Sequence, residues 1–265
     1  QNRIVFENQL RKALAESELE LYFQPQVSVS LMQVVGVEAL VRWRHPVRGL
    51  LYPGEFISIA EESGVIGAIT DWVLDKACSQ LAEWRSKGLT TLKMAVNIAP
   101  HEFDRPDFVE QIVRHLEKNS LPPGSLELEI TENALLRDSV EILDKLKALR
   151  ALGVHISIDD FGTCYSSLNY LKHLPVNAIK IDKSFVCDIS DKHRMSPIIP
   201  AIIGIAQGFG LQLIAEGIET DFQMNALHAQ GCTDMQGYFF SYPLPAKEVE
   251  PYLMSLQNQI VEYHA

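Results

Sequence analysis

The sequence predicts an α/β protein, a (β/α)8 TIM-like barrel whose first strand runs antiparallel to the others. Short β-rich runs alternate with longer amphipathic segments, which is typical of a mainly parallel sheet covered by helices. Eight such strands with interleaved helices fit a barrel, and 265 residues is a typical length for one. About four residues, 30–33, separate the first two strands, which suits a hairpin and is too short for a parallel crossover. A doubly wound open sheet is the alternative, but the Gly-rich phosphate loop that it needs after its first strand is missing.

The individual elements follow from local patterns along the chain. The predicted strands are 21–29, 34–43, 92–98, 126–131, 155–159, 178–182, 212–215 and 234–239. The predicted helices are 69–87, 102–118, 139–152, 196–209, 220–230 and 247–257, and residues 1–20 have the character of a joining helix. In 139–152, apolar residues recur every three positions from Val140 to Leu149, and Gly153 supplies the stop. No composition break or Gly/Ser linker divides the chain, so we expect one domain over 1–265.

Composition and charge exclude several classes of protein. Lys and Arg number 23 against 34 Asp and Glu, a formal charge of −11, so we expect no duplex nucleic acid as partner. A small anionic ligand is compatible with this charge if a divalent cation brings it in. The chain has no apolar run of about 18 residues and no signal peptide. Because it lacks an initiator Met, we expect a domain from a longer protein.

The cysteines and histidines show no metal-site spacing. Cys78, Cys164, Cys187 and Cys232 form no CxxC pair, and the eight histidines form no HExxH or HxxxH pair. We therefore expect buried free thiols in a reducing cytoplasm and no imidazole-rich zinc site, which places the predicted domain in the cytoplasm.

Acidic and amide side chains stand at the carboxyl-terminal ends of nearly all predicted strands. They are Glu38, Asn97, Glu129, Glu132, Asp159, Asp160, Asp182, Glu216, Glu219 and Gln236, with Lys180 among them. Each barrel strand delivers its last inward residue to one common mouth, so residues far apart in the sequence converge there. A solvated acid or a helix cap explains any one of them, but the whole set on successive strands indicates a site.

Carboxylates gathered in this way repel each other, and two hard divalent cations solve the problem. Oxygen ligands favour Mg²⁺ or Mn²⁺ over zinc. Two such ions about 3.5–4 Å apart serve in-line attack on a phosphodiester, and a lysine among the carboxylates orients the attacking water. Arg42 shares one strand face with Glu38 and Leu40, where it suits a phosphate, although a surface ion pair is the alternative.

A family resemblance rests on ordered blocks along essentially the whole chain. The run Glu38-Ala39-Leu40-Val41-Arg42-Trp43-Arg44-His45-Pro46 resembles the signature of EAL-domain cyclic di-GMP phosphodiesterases. Further matching blocks are Leu21-Tyr22-Phe23-Gln24-Pro25-Gln26, Pro53-Gly54-Glu55-Phe56-Ile57, Ala60-Glu61-Glu62-Ser63-Gly64, Glu129-Ile130-Thr131-Glu132, Asp159-Asp160-Phe161-Gly162-Thr163, Lys180-Ile181-Asp182, Glu216-Gly217-Ile218-Glu219-Thr220 and Gln236-Gly237-Tyr238. So many blocks in the right order are highly specific.

The resemblance implies a barrel with an antiparallel first strand and hydrolysis of cyclic di-GMP to linear pGpG with two Mg²⁺ or Mn²⁺ ions. The metal ligands that it implies are Glu38, Asn97, Glu129, Asp159, which bridges the two ions, and Asp160. The resemblance also implies that Lys180 and Glu216 bind and activate the nucleophilic water. Glu216 is the implied general base, and Gln236 supports the water network. The implied substrate contacts are Gln24, Glu38, Leu40, Arg42 and Gln236. By the same resemblance, Glu132 and Glu219 support the loop 160–168.

Three positions depart from the family pattern. Cys164 stands where the family usually has Gly, and a side chain there costs about 1 kcal/mol or more if the backbone needs a positive φ. This departure bears on the geometry of the loop and on activation linked to dimerisation. Ala99 and Asn177 replace a common Ser and a frequent Asp, away from the predicted metal ligands.

The resemblance also carries expectations about partners. It implies a homodimer formed by helices near the loop 160–168 and an upstream sensory or diguanylate cyclase domain. The parent chain is in some family members anchored to the inner membrane, although this domain does not itself insert. Two alternatives to an active phosphodiesterase stay open: a non-catalytic cyclic di-GMP receptor, toward which Cys164 points, and a pure interaction module.

Overall fold

The structure is a computed structural model and describes residues 2–135, 140–163, 171–189 and 196–263. The strands are β1 Leu19–Ser28, β2 Gln33–His45, β3 Gly49–Leu51, β4 Lys93–Asn97, β5 Leu126–Thr131, β6 His155–Phe161, β7 Ala178–Ile181, β8 Gln212–Ala215, β9 Asp234–Met235 and β10 Leu244–Pro245. The helices are α1 Asn2–Ala15, α2 Pro53–Glu62, α3 Ile66–Ser86, α4 Phe108–Lys118, α5 Glu132–Leu135, α6 Val140–Leu152, α7 Lys183–Cys187, α8 Ile198–Phe209, α9 Asp221–Ala229 and α10 Ala246–Tyr263. Cys164 lies outside the described residues.

Eight strands close into a barrel. The parallel ladder runs from β2 through β4, β5, β6, β7 and β8 to β9. Strand β1 closes it by pairing antiparallel with both β2 and β9. Residues 29–32 join β1 to β2, and a connection this short leaves only the antiparallel pairing. The predicted barrel and its antiparallel first strand are confirmed.

One predicted helix, 102–118, is wrong in its first six residues. The chain forms a short 3₁₀ helix at Pro100–Asp104 and begins α4 only at Phe108. Between them Arg105 is extended, with φ −78° and ψ 127°. The cause is Pro106, because a proline ring excludes the helical conformation from the residue before it.

The last predicted strand, 234–239, is also too long. Regular pairing ends at Met235, although the N–H of Gln236 still donates to the carbonyl of Ala215 at 2.8 Å. Gly237 then packs directly on the backbone of Ile218, where a Cβ on residue 237 would lie 2.2 Å from the nitrogen and oxygen of Ile218. The chain leaves the sheet at this contact, and only glycine permits it.

The core lies between the barrel and its surrounding helices. Helix α1 belongs to it through the buried side chains of Phe6, Leu10 and Ala13. The ring of Phe6 lies 4.9 Å from that of Trp43 on β2, measured between centroids. Residues 2–15 thus pack on the barrel, and their role as a junction stays a prediction. In the described parts of the chain, no helix has the length and apolarity needed to cross a membrane.

The cysteines follow the prediction only in part. Cys78 and Cys232 are buried, and burial raises the pKa of each thiol to about 12, so both are inert as nucleophiles. The expectation of a buried thiol is wrong for Cys187, which is exposed. It ends the five-residue helix α7, whose buried side chain is Val186.

Candidate active site

Lys180 occupies the centre of the barrel mouth with a fully buried side chain. Its Nζ lies 2.5 Å from Oε1 of Glu216 and 2.7 Å from Oε1 of Glu129. Oδ1 of Asp159 is 3.5 Å away and Oε2 of Glu38 is 3.9 Å away. Four carboxylates that are remote in the sequence therefore surround one ammonium, because three of them lie on the barrel strands β2, β5 and β6 and the fourth directly follows β8.

The four carboxylates outnumber the single ammonium, and this excess of negative charge shifts the pKa values of the cluster. Burial would lower the pKa of Lys180, but the surrounding carboxylates, led by Asp159, hold it well above its usual value. Burial raises the pKa of Glu129 well above its usual range, and Glu38 adds to the effect. Burial also raises the pKa of Glu216 to about 8, against the opposing effect of Lys180. Without a cation, Glu216 therefore holds a proton at neutral pH.

Glu38 is kept ionised by a network of amides. Burial acts to raise its pKa, but Lys180 and the hydrogen bonds from Gln236 and Asn97 outweigh it and lower the pKa. Nδ2 of Asn97 donates to Oε1 of Glu38 at 2.6 Å, and Nε2 of Gln236 donates to Oε2 at 2.5 Å. Nε2 of Gln236 also lies 3.0 Å from Oε1 of Gln24. Gln24 and Gln236, both predicted as substrate contacts, are buried, and Gln236 connects Gln24 with Glu38 through its amide.

Asp159 and Asp160 are consecutive, yet their carboxylates reach the same place. Asp160 has a φ of +53°, in the left-handed region, and its N–H donates to Oδ1 of Asp159 at 2.9 Å. The register between β6 and β7 breaks over these two residues, so the alternation of a regular strand is interrupted. Carboxylate oxygens of Asp159, Asp160 and Glu216 lie within 4.8 Å of one another. Burial, assisted by the charge of Asp159, raises the pKa of Asp160 to about 6.

The two residues predicted to support the loop 160–168 differ in position. Glu132 begins α5, is 3% exposed and contacts the backbone of Gly162 in the described part of the loop. Glu219 is exposed, and its N–H donates to Oε1 of Gln223 at 2.8 Å. The structure therefore brings Glu132 to the loop and places Glu219 at the surface beside α9.

Arg42 lies between two tyrosine rings at the mouth. Its Cζ atom is 4.9 Å from the ring centroid of Tyr52 and 5.5 Å from that of Tyr22. Arg42 is only 5% exposed, so the alternative of a surface ion pair is wrong. Sequence analysis gave neither tyrosine a role at the site, because they come from different elements and no local spacing connects them with Arg42.

A cavity of about 550 Å³ opens beside the cluster, which is a size suited to a small organic ligand. Its apolar lining includes Leu40, Ile57, Ile66, Ile69, Val73 and Ile98. Its polar lining is Ser58, Glu61, Thr70, Asn97, Thr131, Asp159 and Asp160. Ser58 and Glu61 were missed as site residues, since both come from α2, which the apolar spacing did not reveal.

The residues around Lys180 fit divalent cations. All available donors are carboxylate oxygens or the amide oxygen of Asn97, which suits a hard ion. Within the described chain, neither oxygen of the buried Glu129 accepts a well-formed hydrogen bond, so both have free lone pairs. Bound cations would neutralise the excess negative charge of this cluster, part of which is neutralised by the proton on Glu216 when no cation is bound.

The fold and the site together define a class of protein: an α/β barrel that gathers carboxylate and amide oxygens, a donor set suited to divalent cations, at its carboxyl-terminal mouth beside a cavity. The chain belongs to the EAL domain family, whose sequence model matches residues 7–243.

Known relatives agree with this assignment. The chain is 44% identical over 247 residues to the cyclic di-GMP phosphodiesterase NbdA of Pseudomonas aeruginosa, covering 93% of this chain and 32% of NbdA. It is 40% identical over 249 residues to the bifunctional diguanylate cyclase/cyclic di-GMP phosphodiesterase MucR of the same organism, covering 94% of this chain and 36% of MucR. The chain thus spans about a third of the length of these relatives. A solved MucR phosphodiesterase in complex with c-di-GMP superposes with a TM-score of 0.88 at 40% identity, covering 91% of this chain and 98% of that one.

Proposed function

We propose that this chain is a phosphodiesterase domain that hydrolyses cyclic di-GMP to linear 5′-pGpG with two Mg²⁺ or Mn²⁺ ions. The observation that carries the proposal is the ring of four carboxylates around the buried ammonium of Lys180, beside a cavity of about 550 Å³. The activities named for NbdA and MucR, and the c-di-GMP in the MucR complex, support it.

The donor set divides into two groups of ligands. Glu38, Asn97, Glu129 and Asp159 would hold one cation. Asp159 and Asp160 would hold the other, with an oxygen of Glu216 within 4.8 Å of theirs. When bound, the two ions would lower the pKa of a water and stabilise the negative charge that grows on the phosphate.

One side chain of this chain would accept the proton that the attacking water loses. In the hydrolysis, a water oxygen bonds to phosphorus and the P–O3′ bond breaks. Glu216 would take the proton that the water loses, because bound cations would keep its carboxyl ionised and its oxygen lies within 4.8 Å of those of Asp159 and Asp160. The leaving 3′ oxygen takes up a proton from solvent. Lys180 holds Glu129 and Glu216 in place and adds positive charge beside the reacting phosphate.

Arg42 and Leu40 would contact the substrate. Arg42 is held between Tyr22 and Tyr52 and offers its remaining N–H donors to a phosphate. Leu40 lines the cavity, where it would contact a base of the dinucleotide. Glu38 lies on the same strand and would also contact the substrate, with its carboxylate held by hydrogen bonds from Asn97 and Gln236.

We extend the proposal to the setting of the domain. We infer a homodimer formed near the loop 160–168 and an upstream sensory or diguanylate cyclase domain in a longer chain, with this domain in the cytoplasm. A second candidate, a non-catalytic cyclic di-GMP receptor, is favoured by one feature, the Cys164 that replaces a family glycine.

One experiment separates the two candidates. The purified domain is incubated with cyclic di-GMP and Mg²⁺, Mn²⁺ or a chelator, and the products are followed by chromatography. We expect pGpG with either metal and intact substrate with the chelator. E38A should abolish turnover while the circular dichroism spectrum stays unchanged, and E117A on the exposed face of α4 is the matched control. Intact nucleotide with tight binding in a titration would support the receptor, and absence of binding would contradict both.

A further inference from the structure

Ser157 is a buried polar residue of β6 that the proposed chemistry does not use. It is 0% exposed, and its Oγ has no hydrogen-bond partner among the described residues. Strand alternation places its side chain on the same inward face as Asp159, two residues further on. Its Cα pairs with that of Glu129 in the β5–β6 ladder and with that of Ala178 in the β6–β7 ladder. Ser157 therefore lies inside the barrel, directly beneath the carboxylate cluster.

Two neighbouring carboxylates of β5 share this lack of partners. Oε2 of Glu129 and Oε1 of Glu127 accept no hydrogen bond from the described residues. Glu127 and Glu129 are 4% and 1% exposed, and they are successive inward residues of the same strand. Leaving such buried polar atoms unpaired costs about 1–3 kcal/mol each, so a partner is expected for them.

The donors and acceptors do not match without a further molecule. Ionised carboxylates only accept, and Ser157 has a single O–H to donate, so the hydroxyl satisfies at most one of the two oxygens. A water molecule has two donors and accepts as well. Buried waters in proteins make about three hydrogen bonds to groups of this kind.

We propose that Ser157 anchors one ordered water inside the barrel, which accepts from Oγ of Ser157 and donates to Glu127 and Glu129. This arrangement satisfies all three side chains. It fixes the plane of the Glu129 carboxylate from below, while Oε1 lies 2.7 Å from Nζ of Lys180 above. Ser157 is then a positioning residue, which acts on the cation site through Glu129.

The positioning role of Ser157 rests on the proposed function, so its test measures metal binding and enzyme kinetics separately. The variant is S157A, which removes the hydroxyl with little change in volume. The control is S125A, because Ser125 is also buried but donates its hydroxyl to the carbonyl of Pro122 outside the barrel. Removing groups that orient metal ligands costs about 10–100-fold, so we expect Mn²⁺ affinity by calorimetry and kcat to fall about tenfold in S157A. The KM for cyclic di-GMP should stay unchanged while kcat falls, a split that a merely structural role would not produce.

A crystal structure of the wild-type domain gives the direct test, and it does not depend on activity or on whether S157A folds. Density for a water within hydrogen-bond distance of Ser157, Glu127 and Glu129 supports the proposal, and its absence at high resolution overturns it. A wild type that neither binds Mn²⁺ nor cleaves cyclic di-GMP contradicts the proposed function instead. An active wild type with S157A indistinguishable from it in Mn²⁺ affinity and kcat overturns the positioning role.

Discussion

The backbone N–H of Gly162 donates a hydrogen bond of 2.8 Å to Oε2 of Glu132. Glu132 directly follows β5, and Gly162 directly follows β6, which ends with Asp159-Asp160-Phe161. One hydrogen bond thus connects the ends of two adjacent strands that carry site carboxylates. The acceptor is a charged group, which makes such a bond roughly twice as strong as a neutral one.

We predict from this bond that Glu132→Ala weakens the site without unfolding the barrel. The segment after Asp160 loses its anchor, so Asp159 and Asp160 lose their fixed orientation. We expect Mn²⁺ affinity and kcat to fall by about tenfold, the scale of losses for groups that orient metal ligands. Calorimetry and initial rates measure this, with Glu141→Ala on the exposed side of α6 as control. Equal losses in the two variants would contradict the prediction.

Replacement of the proposed general base gives a second prediction. Glu216→Gln keeps the shape of the side chain but cannot take a proton from water. We expect turnover of cyclic di-GMP to drop roughly 10²–10⁴-fold, the contribution of a positioned base, while the domain stays folded. Rates by chromatography with circular dichroism as a fold check test this. Near-full turnover in Glu216→Gln would show that another group takes the proton.

The metal-free protein should be less stable at higher pH. In the folded state, burial raises the pKa of Glu216 to about 8, from an ordinary 4.5 in the unfolded chain. Between these values the folded state holds a proton that the unfolded state has lost, so the free energy of unfolding falls as pH rises from 4.5 to 8. The stabilisation is fully present below pH 4.5 and is lost above about pH 8.

Thermal melts in chelator at pH 5.5 and pH 8.5 measure this dependence. The melting temperature should be lower at pH 8.5, and the difference should shrink in Glu216→Gln, which does not titrate. Added Mg²⁺ should also reduce the difference, because the cation takes the place of the proton. A melting temperature in chelator that rises across this range would contradict the sign of the raised pKa.

Lys180→Met should show how much the ammonium of Lys180 contributes to the stability of the carboxylate cluster. Removing one partner of a buried ionic group leaves the others uncompensated, and such changes cost about 3–5 kcal/mol. We expect a loss of stability of this order in chelator, partly restored by Mg²⁺, together with loss of turnover. Urea unfolding with and without Mg²⁺ measures it. Unchanged stability in chelator would mean that protonation alone neutralises the cluster.

Gly237→Ala should disturb the site through the backbone. The added Cβ would lie 2.2 Å from backbone atoms of Ile218, so the chain must move and carry Gln236 with it. We expect a loss of about 3 kcal/mol in unfolding free energy, at the upper end for overpacking, and weaker turnover as Glu38 loses its amide donor. Gly204→Ala in α8 is the control, since an added Cβ there meets nothing within 4 Å. Equal stability of both variants would refute the steric argument.

The fold was predictable where chain length and pattern leave one solution. Residues 29–32 are too few to cross a barrel, so the hairpin follows directly from the sequence. The break at Arg105 was predictable as well, from Pro106, but the strong apolar spacing on both sides concealed it. The early end of β9 was not, because it depends on a contact between Gly237 and a backbone segment nineteen positions earlier, at Ile218.

The sequence predicted which strands bring residues to the site, but it did not predict the conformations and contacts of those residues. Glu38, Glu129, Asp159, Lys180 and Glu216 were found because barrel geometry sends strand ends to one mouth. The left-handed conformation of Asp160 leaves no mark in the sequence, since aspartate adopts both conformations. The sequence also did not show that the amide of Gln236 donates both to Gln24 and to Glu38. Local spacing does not show such long-range pairing.

The burial of Lys180 has a consequence for chemical labelling. A side chain with no exposed surface is out of reach of amine-reactive reagents, whereas surface lysines such as Lys12, 66% exposed, are accessible to them. Mass spectrometry of the labelled protein would therefore show, from the extent of labelling on the peptide that contains Lys180, whether the barrel mouth is intact. Modification of Lys180 becomes a sensor of local opening, readable in any variant and without substrate.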